Sequence, residues 1–486
     1  VQIFFILAIP LLLSIVAMLS KDTKRLSFLN SLGHAIVLAF SACLVLDTVN
    51  FSEPKAFFNF FYIDSLSVFF IFTISVINLA SSLYSIGYTA MDLKEGVISE
   101  RKAVKYYVLF NLFSFSMFFV TVVNNLGMLW VAVEMTTLVS AFLVGFYNNK
   151  KSIEAAWKYI IICSVGISLA LLGTILFYFT ASQHGNINSL NWTDIVSVAK
   201  KLDPRVVKAA FLFILVGYGT KAGLAPMHTW LPDAHSQALS PTSALLSGVL
   251  LKTAIYAVLR FAIITNKCIG IGYVSNLFIL FGLLSLCVSA GFILVQKDIK
   301  RMFAYSSVEH IGIITLGFGF GGPIGLYGAL LHIFNHAVTK SLMFFGAGSI
   351  VKKYHTNNMN VIKGVIAVLP FTGIILIFGV FALIGMPPFS IFISEIIILI
   401  GGFKAGFYFP SALFLFFAAI VFGGMLFRFG KILFGKKPQD MAAGGERLSG
   451  KLAFVFLFSF IIVLGFTIPG FLNKILLLAV EIISGA

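Results

Sequence analysis

The chain has 486 residues, of which 59% are hydrophobic and only 11% charged, and its mean hydropathy is +1.02. Soluble domains carry roughly 25% charged residues, so this composition excludes an ordinary soluble enzyme and predicts an all-α polytopic membrane protein. The net charge of +16 does not point to nucleic acid, because the basic residues cluster between the apolar runs, as the positive-inside rule requires.

In chain order the apolar runs fall at about 1–20, 29–49, 62–88, 104–123, 126–147, 155–181, 206–222, 241–264, 272–295, 301–320, 323–351, 365–384, 408–433 and 451–472. These predict about fourteen transmembrane helices, with the tail from Leu472 to Ala486 as a short additional helix. The first run is long enough to span and is followed by SKDTKR without a small-residue cleavage pattern, so it reads as a span rather than a signal peptide. The start at Val1 is consistent with a few missing residues. Twenty-two Lys and Arg residues lie in the odd-numbered loops and eight in the even-numbered loops. That bias predicts both termini outside the cytoplasm. Cys43, Cys163, Cys268 and Cys287 are scattered without a C-x-x-C pair, so neither a disulfide framework nor a metal cluster is expected within the chain.

Several charges break the apolar pattern. Glu134 lies in LGMLWVAVEMTTLVSAFLVGFY, Lys221 in GTKAGLAPMHTWLPDAH, Lys252 in TSALLSGVLLKTAIYAVLR and Glu395 in GMPPFSIFISE. A charge at the bilayer centre costs between ~3 and ~15 kcal/mol, so it persists where it has a partner or a wet cavity. Gly223 and Pro226 follow Lys221, and Pro387 and Pro388 precede Glu395, so the seventh and twelfth spans should break and continue as half-helices through Trp230 and Ile400. Lys221 is the natural partner for Glu134. A lysine held out of bulk water loads and releases protons readily, although a purely structural ion pair is the alternative reading. Lys252 has full helical turns on both sides, with Ser243, Ala244, Ser247 and Gly248 allowing close helix approach. Arg260, eight residues on, reads as an interfacial anchor.

His310 follows Glu309 in the tenth run, while His332, His336 and Lys340 repeat every four residues in the eleventh and share a helix face. His332 and His336 have the spacing of a metal-binding pair, but no third ligand stands at a telling distance and Lys340 would repel a cation. A hydrated proton relay is the preferred reading, with no metal in the chain. His228, Asp233 and His235 lie in the broken region, where a re-entrant or interfacial role is an equal alternative to proton exchange, and with the i,i+4 pair Glu154 and Lys158 they are gating candidates. For that pair a simple surface ion pair is an equal alternative.

The segments WVAVEMTTLVSAFLVGFY, EAAWKYIIICSVGI, KAGLAPMHTWLPDAHSQALSPTSALLSGVLLKTAIYAVLR, FAYSSVEHIGII and LHIFNHAVTKSLMFFGAGSI resemble the antiporter-like proton-pumping subunits. That superfamily includes complex I membrane-arm subunits, Mrp-type sodium/proton antiporters and group 4 nickel–iron hydrogenases. The resemblance covers roughly residues 60–430, and EMTTLVSAFLVGFY, EAAWKY, LPDAHSQALSP and AYSSVEH look closest to the hydrogenase-4 component F branch. It implies two inverted five-helix repeats, spans 4–8 and 9–13, with broken helices 7 and 12. The corresponding divisions are 1–103, 104–264, 265–435 and 436–486. It also implies that Glu134 and Lys221 form a switching charge pair, that Lys252 is central, and that Glu395 ends the path. His310, His332 and His336 match polar positions on the hydrated axis. The chain ends soon after the fourteenth run, so a member without the long lateral helix or large extra domains is expected.

The resulting expectation is a proton-translocating, or sodium/proton-exchanging, non-redox subunit of a hydrogenase-like respiratory complex. Nickel–iron and iron–sulfur centres would lie in partner subunits, with no cofactor in this chain. An Mrp-type antiporter subunit without redox partners, a complex I-type quinone oxidoreductase membrane subunit and a non-conducting scaffold are the alternatives.

Overall fold

The computed structural model describes residues 2–20, 22–51, 54–57, 59–185, 187–438 and 441–485. Val1 at the start of the first apolar run, Lys21 of the first basic loop and Ala486 of the predicted tail helix lie outside the described residues.

A chain surrounded by lipid must satisfy its backbone internally, and these apolar runs do so as helices. In order they are α1 (Gln2–Leu19), α2 (Thr23–Phe51), α3 (Ser65–Lys94), α4 (Glu100–Val122), α5 (Leu126–Val144), α6 (Lys150–Gly185), α7 (Trp192–Ser197), α8 (Pro204–Ala222), α9 (Trp230–Gln237), α10 (Ser240–Leu245), α11 (Leu251–Ile269) and α12 (Ile271–Val295). There follow α13 (Ile299–Phe320), α14 (Gly322–Tyr354), α15 (Val365–Val368), α16 (Pro370–Leu383), α17 (Ser390–Lys404), α18 (Tyr408–Phe434), α19 (Leu448–Phe466) and α20 (Gly470–Ser484). Among the described residues, 11 helical segments are long and apolar enough to cross a membrane. Helices α13 and α14 fall outside that set and are buried along almost their whole lengths. Helices facing protein on all sides can carry more polar residues than lipid-facing ones.

Three features depart from the sequence reading. Lys55–Phe57 (β1) and Phe61–Ile63 (β2) form a short antiparallel hairpin between α2 and α3. The run at 365–384 is divided between α15 and α16 by Leu369. The run at 451–472 stops at Phe466, because Pro469 precedes a separate helix, α20.

Both Gly/Pro breaks are present. Gly223 ends α8 with φ +83, and a Cβ there would lie 2.6 Å from Leu231 Cδ1. Beyond it the freed backbone groups find partners. The Trp230 indole donates to Thr220 O (2.9 Å) and Ala225 N–H donates to Ser285 Oγ (3.0 Å). That satisfaction is what makes a broken helix tolerable at membrane depth. The second break runs from Ile384 to Phe389, with Gly385 at φ +68, and Asn335 Nδ2 donates to Ser390 O (2.6 Å). A third interruption, absent from the sequence reading, is a π-helical segment at Leu246–Leu250 between α10 and α11. At the core, small residues bring helices together. Gly217 packs on Ala170 across α6 and α8, Gly282 on Gly312 across α12 and α13, and Gly401 on Gly325 across α14 and α17.

Candidate functional site

Glu134 is half-buried on α5, where its Oε1 accepts from Ser164 Oγ of α6 at 2.9 Å and its Oε2 has no hydrogen-bond partner among the described residues. Lys221 stands fully buried on the last turn of α8. Its Nζ donates to Thr137 Oγ1 (2.8 Å) and to Tyr159 OH (2.5 Å), and lies 4.7 Å from the Tyr159 ring centroid. The two charges form no ion pair within 4 Å among the described residues, contrary to direct pairing. The reason is register. Thr137 is three residues beyond Glu134 on α5, so the hydroxyl holds the ammonium about 4.5 Å further along the helix axis. Tyr159 is in turn anchored by Ser140 Oγ (2.7 Å) and rests against Trp230 of the broken region.

Lys252 is 1% exposed and lies in the first turn of the helix that follows the π-helical segment. Its Nζ donates to Ser247 O, and Ser247 Oγ meets Ser307 Oγ of α13 at 2.7 Å. Ser247 lies within the π-helical segment, where the backbone ladder is shifted, and its carbonyl accepts from the buried ammonium. Lys340 of α14 makes an analogous contact, donating to Phe303 O of α13 at 2.8 Å. Glu309, on α13, is buried as well and lies in the electrostatic field of Lys340.

Between these lysines and Glu395 lies a cluster of imidazoles. His310 Nδ1 and His332 Nε2 are 3.0 Å apart, and His332 Nδ1 is 2.9 Å from Ser394 Oγ. Asn335 Nδ2 also reaches Ser394 Oγ (3.2 Å). The ring of His336 lies 4.7 Å from that of His310 and 6.4 Å from that of His332, and neither of its nitrogens has a hydrogen-bond partner among the described residues. Helical spacing pairs His332 with His336, but packing pairs it with His310, because α13 faces α14 at this level. Glu395 comes to the same place: one donor atom each from His310, His332 and Glu395 lie within 4.8 Å of one another. The third donor missing from the sequence spacing therefore arrives from α17. Glu395 packs on Gly385, where a Cβ would overlap its carboxylate.

Among the described residues, several buried polar atoms along this seam have no protein partner, including His235 Nδ1 and Nε2, Thr339 Oγ1 and Asn335 Oδ1. Each such atom costs about 1–3 kcal/mol when dry, so the arrangement suits a hydrated path able to carry protons. His235 is fully buried and stacks on Phe344 (4.7 Å), whereas His228 lies beside Phe292 and Tyr305.

The remaining gating candidates sit together elsewhere. Lys158 bonds Glu154 (2.7 Å) and Asp233 (3.2 Å), and Asp233 also bonds Arg301 (3.1 Å). Lys158 and Glu154 are about half exposed, at 48% and 58%, so the two make a surface pair extended into a network across α6, α9 and α13. Arg260 is not an interfacial anchor. It is 4% exposed and binds Asp64 through both terminal nitrogens, at 2.6 and 2.8 Å, with Trp192 stacked 4.6 Å away. Asp64, Tyr159 and the pair Asp92 and Lys352 (2.9 Å) are not singled out by the sequence. The two aspartates and Lys352 stand at the ends of apolar runs, where a charge is unremarkable.

A family model described as "NADH:quinone oxidoreductase/Mrp antiporter, TM" matches residues 123–422. A hydrogenase-4 component F homolog of Methylacidiphilum infernorum (isolate V4) is 40% identical over 347 residues, covering 71% of this chain and 73% of that protein. NADH-quinone oxidoreductase subunit N of Desulforudis audaxviator (strain MP104C) is 30% identical over 424 residues, covering 82% and 80%. In structure, a chain of an archaeal membrane-bound sulfane sulfur reductase superposes with a TM-score of 0.88 at 23% identity, covering 99% of this chain and 98% of the other.

Proposed function

Because the chain belongs to the NADH:quinone oxidoreductase/Mrp antiporter transmembrane family, we propose that it is the proton-translocating membrane subunit of a hydrogenase-like respiratory complex. Redox chemistry belongs to partner subunits holding nickel–iron and iron–sulfur centres. This chain converts their energy into proton movement within a prokaryotic cell membrane, with both termini outside the cytoplasm. Moving one charge against 100 mV costs about 2.3 kcal/mol, which these side chains cannot supply by themselves.

The observation that carries this reading is the series of buried and half-buried ionisable groups on neighbouring helices. Glu134 and Lys221 form the switch, and closing the gap between them changes how tightly Lys221 holds its proton. Lys252 and Lys340 receive the charge, each resting on a backbone carbonyl that releases it without leaving an unpaired side chain. His310, His332 and His336 then pass it to Glu395 at the end of the path. His228, His235 and the Glu154–Lys158–Asp233 network gate access.

Glu134→Gln and Lys252→Ala, each introduced into the assembled complex, should cut proton uptake by inverted membrane vesicles at least tenfold while assembly persists. Wild-type pumping in both variants would overturn the path. Repeating the assay with K⁺ in place of Na⁺ separates proton pumping, which continues, from sodium/proton exchange, which stops.

A further inference from the structure

The path described above contains a coordination set that proton transfer by itself does not require. His310, His332 and Glu395 come from three different helices, α13, α14 and α17, and present one donor atom each within 4.8 Å. The facing imidazole nitrogens are 3.0 Å apart. Two nitrogens bound to one ion at ~2.0–2.1 Å stand about 3.3–3.4 Å apart in tetrahedral geometry, so the two imidazoles need to part by only a few tenths of an ångström to seat the ion. The other nitrogen of His332 already meets a hydroxyl, Ser394 Oγ at 2.9 Å, and that hydroxyl is held by Asn335. Such an outer partner fixes the orientation of a ligating imidazole. The nearby ammoniums are turned towards backbone: Lys340 to Phe303 O and Lys252 to Ser247 O. Lys340 is also two helical turns from His332, about 12 Å along the axis of α14.

We propose that His310, His332 and Glu395 form a site for one borderline transition-metal dication, Zn²⁺ by preference, and that its occupancy reversibly blocks the chain. Two imidazoles and a carboxylate suit Zn²⁺, with a water completing the tetrahedron, and disfavour Na⁺, Mg²⁺ or Ca²⁺, which seek oxygen ligands. A bound ion occupies both facing nitrogens and the carboxylate, so no proton passes between them. Binding needs only the three side chains; the inhibitory consequence rests on the proton path proposed above.

The test uses the full chain, purified in detergent and stripped with a chelator, with Zn²⁺ as the only added metal. Competition against a chromophoric chelator should find one ion per chain. Affinity should fall at least tenfold in His310→Ala, His332→Ala and Glu395→Gln, and about tenfold in Ser394→Ala with the one-to-one ratio retained. His336→Ala should retain wild-type affinity. X-ray absorption on the wild-type chain guards against misfolded variants and should show imidazole nitrogen and carboxylate oxygen at about 2.0–2.2 Å, with no sulfur. Failure of the wild-type chain to retain zinc, sulfur in the coordination shell, or unchanged affinity in the His310→Ala and His332→Ala variants would overturn the site. In the assembled complex, Zn²⁺ should slow proton uptake and a chelator should restore it. Zinc bound at the triad with pumping unimpaired would leave the site standing and overturn the histidine path instead.

Discussion

At Lys221 a single ammonium is satisfied by two hydroxyls and an aromatic face rather than by a carboxylate. A hydrogen bond to a charged group is worth about 1.5–3 kcal/mol, and losing one redistributes charge between states about ten- to a hundredfold. Tyr159→Phe should therefore reduce proton uptake by the assembled complex at least tenfold while the amount of complex in the membrane stays constant, as read by vesicle acidification against immunoblot. Thr137→Val should act in the same direction, since Lys221 Nζ lies 2.8 Å from Thr137 Oγ1. Tyr159 had no distinguishing mark in one dimension, because tyrosine is ordinary in a membrane helix. Lys221 and Glu134 were conspicuous because a charge inside an apolar run is costly wherever the chain folds.

Helix α3 is tied at both ends to the helices that carry the central lysines. Its N-cap, Asp64, binds Arg260 of α11, and Asp92 in its last turn binds Lys352 of α14 at 2.9 Å. Over its 30 residues, about 45 Å, it also donates Tyr84 OH to Phe345 O of α14 at 2.8 Å. Removing one member of a buried pair strands the other charge, at about 3–5 kcal/mol. Asp64→Ala should lower the thermal midpoint of the detergent-solubilised chain clearly, while Asp64→Leu combined with Arg260→Met should recover much of the loss. Glu154→Ala, at the half-exposed pair, should leave the midpoint unchanged. The π-helical segment makes a second element-level prediction. A Cβ on Gly248 would meet Ser341 Oγ at 2.6 Å and Ile77 Cγ2 at 3.1 Å. Gly248→Ala should therefore push α14 and α3 away from Lys252 and cost about 1–3 kcal/mol in the same melting experiment. Neither device was legible in the sequence. The Asp64–Arg260 contact joins residues 196 positions apart, and the π-helical segment carries no local composition signal.

For the whole molecule, the bias of basic residues towards odd-numbered loops makes a labelling prediction. Asn149 and Lys267 are both exposed, at the ends of spans five and eight. With the termini outside, Asn149→Cys should react with a membrane-impermeant thiol reagent only in inverted vesicles, and Lys267→Cys only in intact cells. The reverse pattern would invert the topology.

From the residues alone came the helical membrane class, the positions of most spans, the Gly/Pro breaks and the four intramembrane charges. Each of these is a local statement about one stretch of chain in lipid: apolar length, a missing backbone donor, or a charge far from water. Tertiary structure decided which groups meet. It placed Lys221 on Thr137 and Tyr159, exchanged His336 for His310 as the partner of His332, and buried Arg260 against Asp64. Those choices depend on register and packing between helices distant in sequence, for which the hydrophobic pattern of each single helix carries no information.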